Sequence, residues 1–172
     1  MSSTKQVREL MVPITDYPQV FDTDSLSDAI ITLRKHRETS REYRSLLVFS
    51  KTKKIEGEPE LVGILTIRDM LNAIRRITTD YTMGDEPFIS SWAWFYQKKS
   101  LKDTIKINVH NARRPLVYAF IQADQSVTEA IRKMMTKNVN ILPVFKGHKP
   151  VGILRSVDLL DYISEMLTEG GY

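Results

Sequence analysis

The stretch VGILTIRDML at residues 62–71 returns as VGILRSVDLL at residues 151–160, so the chain must build the same strand-to-helix junction twice. Setting Gly63 against Gly152 gives an offset of 152 − 63 = 89, and the match runs on through Leu71 and Leu160 to Ile74 and Ile163. Upstream, DSLSDAIITL (24–33) matches QSVTEAIRKM (125–134) at an offset of 126 − 25 = 101. Between them, SLLVFS (45–50) resembles ILPVFK (141–146) at 141 − 45 = 96. The falling offsets place extra residues in the first repeat, and KTKKIEGEPE (51–60) accounts for most of them as a longer hairpin loop. A repeating unit of this length is a duplicated domain, not a solenoid turn.

Each repeat decodes into the same order of elements. Ser25 with Asp28, and Ser126 with Glu129, have the spacing of a capping box, in which the hydroxyl accepts from a backbone amide and the carboxylate reaches back. Two helices are expected to start there. Their apolar residues, Leu26, Ala29, Ile30 and Leu33 in one and Val127, Ala130, Ile131 and Met134 in the other, fall on one buried face. Short apolar runs of strand length follow, then a turn, then LVGIL or PVGIL, then a last helix. With YPQVF (17–21) and LVYAFI (116–121) as first strands, each repeat reads β-α-β-β-α, an α/β (α+β) architecture. Residues 5–77 form one domain and 107–168 the other. Residues 78–106 are a linker containing the aromatic stretch FISSWAWFYQKK (88–99), whose helical spacing suits packing between domains or in a dimer.

Composition removes several classes of function. The 172 residues are 42% hydrophobic, enough to bury a core as one domain or two small ones. With 25 Lys+Arg against 21 Asp+Glu the net charge is +4, and the opposite charges are interspersed, so nucleic acid is not implied. The absence of cysteine excludes disulfides, thiol catalysis and cysteine-ligated zinc, and makes the cytoplasm the default setting. MSSTKQVREL lacks the apolar core of a signal peptide, and no run approaches the about 20 apolar residues of a spanning helix. His36, His110 and His148 are too scattered for a metal motif, and no Gly-rich phosphate loop or nucleophile elbow occurs, so no enzyme is expected.

The chemistry that remains lies at the repeated junction. Thr66 and Asp69 have Thr-x-x-Asp spacing, which caps a helix, but an ionised carboxylate can equally accept from both hydroxyls of a ribose. The free amides and partial positive charge of a helix start also suit a phosphate. In the second repeat Asp158 persists while Arg155 stands at the Thr66 position, with Ser156 beside it as a shifted cap. Arg155 cannot accept as a cap, and its guanidinium either binds phosphate or pairs with an acid. Arg68 precedes Asp69, and Arg113 and Arg114 precede Pro115 ahead of the second repeat's first strand; beside a ligand site such arginines favour an anionic ligand, unless they are solvated surface charges or pair with acids.

The β-α-β-β-α order twice over, the proline in ILPVF, and the Gly-apolar-apolar-Ser/Thr-x-x-Asp junction resemble a pair of cystathionine β-synthase (CBS) domains, a Bateman module. The resemblance covers nearly the whole chain and suggests a stand-alone pair. It implies two repeats packed sheet to sheet with pseudo-twofold symmetry and two clefts for AMP, ADP, ATP or S-adenosylmethionine. It further implies that Asp69 and Asp158 hold ribose, that Thr66 takes phosphate, and that Ser45, Leu46, Asn140, Ile141 and Pro143 line the base pockets. Arg68, Arg114, Arg155 and Ser156 complete the expected nucleotide-binding set.

The expected function is a non-enzymatic regulatory module. An adenine nucleotide acts as its ligand and no cofactor is required; the chain forms a homodimer and signals to a partner protein by conformational change. The competing reading is a ligand-free dimeric interaction module. A third, nucleic-acid binding through basic and aromatic surface, has no recognisable motif behind it.

Overall fold

The structure is a computed structural model that describes residues 5–38, 43–81, 106–115 and 119–169, without the side chains of 77–81, 114–115 and 169. The aromatic stretch 88–99 lies outside the described residues.

The chain divides into two compact units, Pro18–Pro115 and Met1–Tyr17 with Leu116–Tyr172. Among the described residues, each holds one four-stranded sheet. In the first-repeat unit, β2 (Gln19–Phe21) leads through α1 (Leu26–Arg37) to β3 (Ser45–Ile55), which returns as β4 (Glu58–Thr66) and runs into α2 (Ile67–Tyr81). β2 and β3 are parallel, as a helical crossover requires, whereas the hairpin β3–β4 is antiparallel. The second-repeat unit repeats this with β6 (Ile121–Gln122), α3 (Val127–Lys137), β7 (Ile141–Lys146), β8 (Lys149–Arg155) and α4 (Ser156–Glu169).

The fourth strand of each sheet comes from the lead-in to the other repeat. β1 (Val12–Pro13) pairs with β8, and β5 (Arg114–Pro115) pairs with β4. The ties are backbone hydrogen bonds of matching pattern. Val7 N–H donates to the Gln125 carbonyl (2.9 Å) and Val127 N–H to that of Lys5 (3.0 Å); correspondingly, Val109 N–H donates to Asp24 (2.9 Å) and Leu26 N–H to Ile107 (2.8 Å). Residues 5–17 and 106–115, which stand at the head of one repeat in sequence, are thus built into the sheet and helix starts of the other.

The helix starts show the two capping boxes to be unequal. At α1 the box is complete: Asp28 N–H donates to Ser25 Oγ (3.1 Å) and Ser25 N–H to Asp28 Oδ2 (3.2 Å). At α3 Ser126 Oγ accepts from Glu129 N–H (3.1 Å), but the Glu129 carboxylate turns to the Arg132 guanidinium one turn on. That half of the expected box is replaced by an i,i+3 ion pair. α3 closes on Asn138 in the left-handed conformation (φ 52°), whose N–H returns to the last turn.

The expected buried faces are present. Leu26, Ala29 and Leu33 of α1 are buried, and Val127, Ala130 and Met134 of α3 join Val7, Ile121, Leu142, Val144, Leu154 and Leu159 in one core. Fully burying one such aliphatic side chain contributes about 1.5–3 kcal/mol, so these clusters hold helix to sheet.

The 51–60 insertion is not a long loop. β3 and β4 both extend through it and close on a two-residue turn, Glu56 (φ 51°) and Gly57 (φ 86°). Two successive positive φ values give the turn whose twist matches an antiparallel ribbon. A register irregularity between Phe49 and Lys54, where Ser50 Oγ accepts from Lys53 N–H (3.0 Å), absorbs the extra length. The second repeat turns directly at Gly147 (φ 65°).

Candidate functional site

Sheet register brings the strand and helix ends of each junction together. Ser45 lies opposite Thr66 in the β3–β4 ladder and Leu46 opposite Leu65, while Ile67 N–H donates to the Arg44 carbonyl (3.2 Å). In the second repeat Ile141 lies opposite Arg155 and Pro143 opposite Ile153, and Ser156 N–H donates to the Asn140 carbonyl (2.9 Å). The two junctions therefore correspond in register and backbone hydrogen bonding, with Arg44 matching Asn140, Ser45 matching Ile141, and Thr66 matching Arg155.

Their side chains differ. At the first junction Thr66 Oγ1 donates to Asp69 Oδ2 (2.6 Å), Thr66 N–H donates to the same oxygen (3.0 Å), and Asp69 N–H donates back to Thr66 Oγ1 (3.1 Å). This is a reciprocal cap, and it leaves Asp69 8% exposed in the first turn of α2. Ser45 beside it is buried, and Leu46 is wholly enclosed. Arg68 is exposed on the neighbouring helical position. Arg114 sits opposite Ile64 in the ladder, its side chain outside the description. Arg113 directs Nη1 to the Val62 carbonyl (2.6 Å), bracing β4.

At the second junction the Arg155 side chain folds onto Asp158. Nε donates to Oδ2 (2.9 Å) and Nη2 to Oδ1 (2.6 Å), and the Arg155 backbone N–H also donates to Oδ2 (3.0 Å). Both side chains are largely buried, at 19% and 14% exposure. The two-armed geometry is the strong form of a carboxylate–guanidinium contact. Asn140 and Ser156 are exposed, Ile141 is half-buried and Pro143 buried. Of the readings open for Arg155, the structure shows pairing with an acid. The i,i+3 spacing of Arg155 and Asp158 was the sequence signal for it.

At the first junction the Thr66 hydroxyl caps the Asp69 amide, whereas at the second the Asp158 carboxylate accepts from the Arg155 amide and guanidinium. The chemistry left is that of a carboxylate at a helix start, next to amides whose dipoles favour anions. Among the described residues, no group of three or more His, Cys, Asp or Glu is arranged to hold a metal ion. No helix among them is long and apolar enough to cross a membrane.

Two four-stranded sheets, each joined to helices through a duplicated strand-to-helix junction, define a tandem α/β pair. Residues 7–76 and 108–165 both match the CBS domain model, and the chain belongs to the CBS domain family. A search of curated proteins finds no match. Solved structures share the fold. A putative acetoin utilization protein (AcuB) from Vibrio cholerae superposes with a TM-score of 0.65 at 16% identity, over 99% of both chains. CBSX2 in complex with AMP gives 0.63 at 17% identity, over 94% of this chain and 97% of that one. The CBS domain of a bacterial CNNM/CorC family Mg2+ transporter in complex with ATP also gives 0.63 at 17%, over 93% and 87%.

Proposed function

We propose that the chain is a non-enzymatic regulatory module that binds an adenine nucleotide, AMP, ADP or ATP, and passes that event to a partner protein by a conformational change. The observation that carries this reading is the Thr66–Asp69 junction. It combines a carboxylate suited to a ribose diol with a helix start suited to phosphate, beside Ser45 and the exposed Arg68. Solved CBS structures of the same fold hold AMP and ATP, which supports the ligand class. A cytoplasmic setting fits the complete absence of cysteine.

Calorimetric titration with AMP, ADP, ATP and S-adenosylmethionine tests the proposal. One nucleotide should bind, more tightly than S-adenosylmethionine, and should stabilise the fold by about 2.7 kcal/mol at 100 times Kd. Asp69→Ala, checked for an unchanged fold, should weaken it at least about tenfold, the cost of losing a charge-assisted contact. Failure of every adenosine compound to bind at millimolar concentration overturns the reading.

A homodimer is part of the proposal, and a specific surface supports it. α4 exposes Val157, Leu160, Ile163 and Leu167, with Leu160 at 65% and Leu167 at 74% exposure. At spacings of three and four these residues form one helical stripe, the pattern of a face that packs against another. If no nucleotide binds, the same stripe favours the alternative of a ligand-free interaction module.

A further inference from the structure

We infer that Arg113 anchors an oxyanion site on the β4–β5 side of the first-repeat unit, and that this site takes a phosphoryl group. It does not require a nucleotide at the Thr66–Asp69 junction. An arginine stands here where the other repeat has a methionine.

The two lead-ins are built alike. Met11 N–H donates to the Val7 carbonyl (3.0 Å) and Arg113 N–H to that of Val109 (3.1 Å), each one residue ahead of its strand, β1 or β5. Those strands meet their sheets in the same register, with Pro13 opposite Gly152 and Pro115 opposite Gly63. Met11 lies over its bare glycine, its sulfur 2.6 Å from where a Cβ on Gly152 would stand. A thioether fills that place with no N–H to give, so the fold itself does not call for a guanidinium there.

Arg113 brings a charge to the matching place. Nη1 donates to the Val62 carbonyl (2.6 Å), a neutral acceptor, while Nε is buried without a hydrogen-bond partner among the described residues. No carboxylate among them forms an ion pair with it. A cation drawn partly out of water without a counter-charge is costly, as is a buried donor without an acceptor, and an anion removes both costs at once. Bracing β4 accounts for Nη1 alone. The other edge, Nε with Nη2, is the one by which Arg155 grips both oxygens of Asp158 in this same chain, and phosphate is taken in the same two-armed way. The Arg113 side chain remains partly exposed, so an ion can arrive from solvent.

The local charge favours a multiply charged anion. Residues 106–115 carry Lys106, His110, Arg113 and Arg114 and no acid, whereas the corresponding stretch 5–13 sets Glu9 against Lys5 and Arg8. Val62 lies four residues before Thr66 on β4, about 13 Å away at about 3.3 Å per residue. The single phosphate of an AMP does not extend so far from its ribose. The phosphoryl group is therefore a free anion or the outer phosphate of a triphosphate.

The test uses the full chain, with inorganic phosphate, AMP and ATP as titrants, and Arg113→Met, which installs the residue found at position 11. Phosphate should raise the melting temperature of the native chain beyond the effect of sodium chloride at equal ionic strength, and should not do so for Arg113→Met. If Arg113→Met weakens ATP at least about tenfold and AMP less than about twofold, the phosphoryl group is the nucleotide's own; if both nucleotides bind as before, it is a free anion. Hydrogen exchange on the native chain reads the site even if the variant does not fold, since phosphate should slow exchange in β4 and β5. Slowing that spares both strands overturns the inference, as does an equal phosphate shift in the two proteins. A native chain that responds to phosphate no more than to chloride, with ATP binding unchanged by Arg113→Met, also overturns it and leaves Arg113 a brace. Failure of AMP and ATP to bind bears on the nucleotide reading alone.

Discussion

Gly152 in β8 lies so close to the β1 strand that a Cβ built on it would stand 2.7 Å from the Val12 carbonyl oxygen and 2.6 Å from the Met11 sulfur. The sulfur belongs to a flexible side chain and can move, but the carbonyl is fixed by the pairing of Val12 with Ile153 and of Pro13 with Gly152. The glycine of the repeated VGIL motif is therefore a packing requirement here. Gly152→Ala should destabilise the protein by about 1–3 kcal/mol, the usual cost of overpacking, as read from urea unfolding. A cost under about 0.5 kcal/mol would mean that β1 shifts freely.

The exchange of lead-ins makes a prediction about location. Val7 is fully buried in the core of the second-repeat unit, beside Ile121, Leu142 and Leu154. Val7→Ala should cost roughly 2 kcal/mol from lost burial and a residual cavity. Hydrogen exchange should then quicken in β7, β8 and α3, more than a hundred residues away, and not in β3 and β4.

The unequal caps predict unequal mutants. Ser25→Ala removes an acceptor from a complete box and should cost about 1–2 kcal/mol, whereas Ser126→Ala removes a single bond and should cost about 0.5–1 kcal/mol. Thermal melts of the two variants in the same buffer compare them directly. Equal losses would contradict the half-formed box.

The ion pair that replaces that half box titrates. The Arg132 hydrogen bond, aided by the charges of Arg132 and Lys133, holds the Glu129 carboxyl below its ordinary value against the opposing effect of desolvation, and it raises Arg132 in turn. A depressed carboxyl in the folded state contributes stability that is present above the unfolded value and lost as the pH falls through the folded one. The melting-temperature advantage of the native chain over Glu129→Gln should hold at neutral pH and vanish as the pH drops through and below the glutamate range. Because Arg132 is 66% exposed, the advantage should be small and should shrink in high salt.

The apolar stripe on α4 predicts a change of assembly without a change of fold. Leu160→Asp places a charge on an exposed position, so the melting temperature of the isolated chain should move little. Sedimentation should show the proposed dimer of the native chain and a monomer for the variant, because the charge would be buried unpaired in an interface formed by this stripe. A Leu160→Asp variant that remains dimeric shows that another surface holds the dimer.

Some of this was legible in the chain as text because local physics wrote it twice. The order of strands and helices, the α1 and α3 buried faces, the Ser25 box and the equivalence of Gly63 with Gly152 all follow from hydrophobic period and short-range hydrogen bonding, which act within a few residues. The Thr66–Asp69 contact was legible for the same reason, as three-residue spacing at a helix start. Even the Arg155–Asp158 clasp is an i,i+3 pair. What spacing left undecided was whether that arginine faced its neighbour or a ligand, because both choices satisfy the same local pattern.

The remaining features depend on contacts between residues far apart in the chain. Nothing in KTKKIEGEPE distinguishes a loop from a strand extension until β3 and β4 pair around Glu56 and Gly57. The Glu129 side chain could serve Ser126 or Arg132 with equal spacing, and folding chose the cation. The sequence by itself determined that the chain is a duplicated β-α-β-β-α protein with two carboxylates at matching helix starts. Only the tertiary structure decided that residues 5–17 and 106–115 complete the opposite sheets and that Arg155 turns to Asp158. The physical reason is that a strand edge accepts any segment presenting free amides and carbonyls, so which segment arrives is set by chain path and burial, not by residues adjacent in sequence.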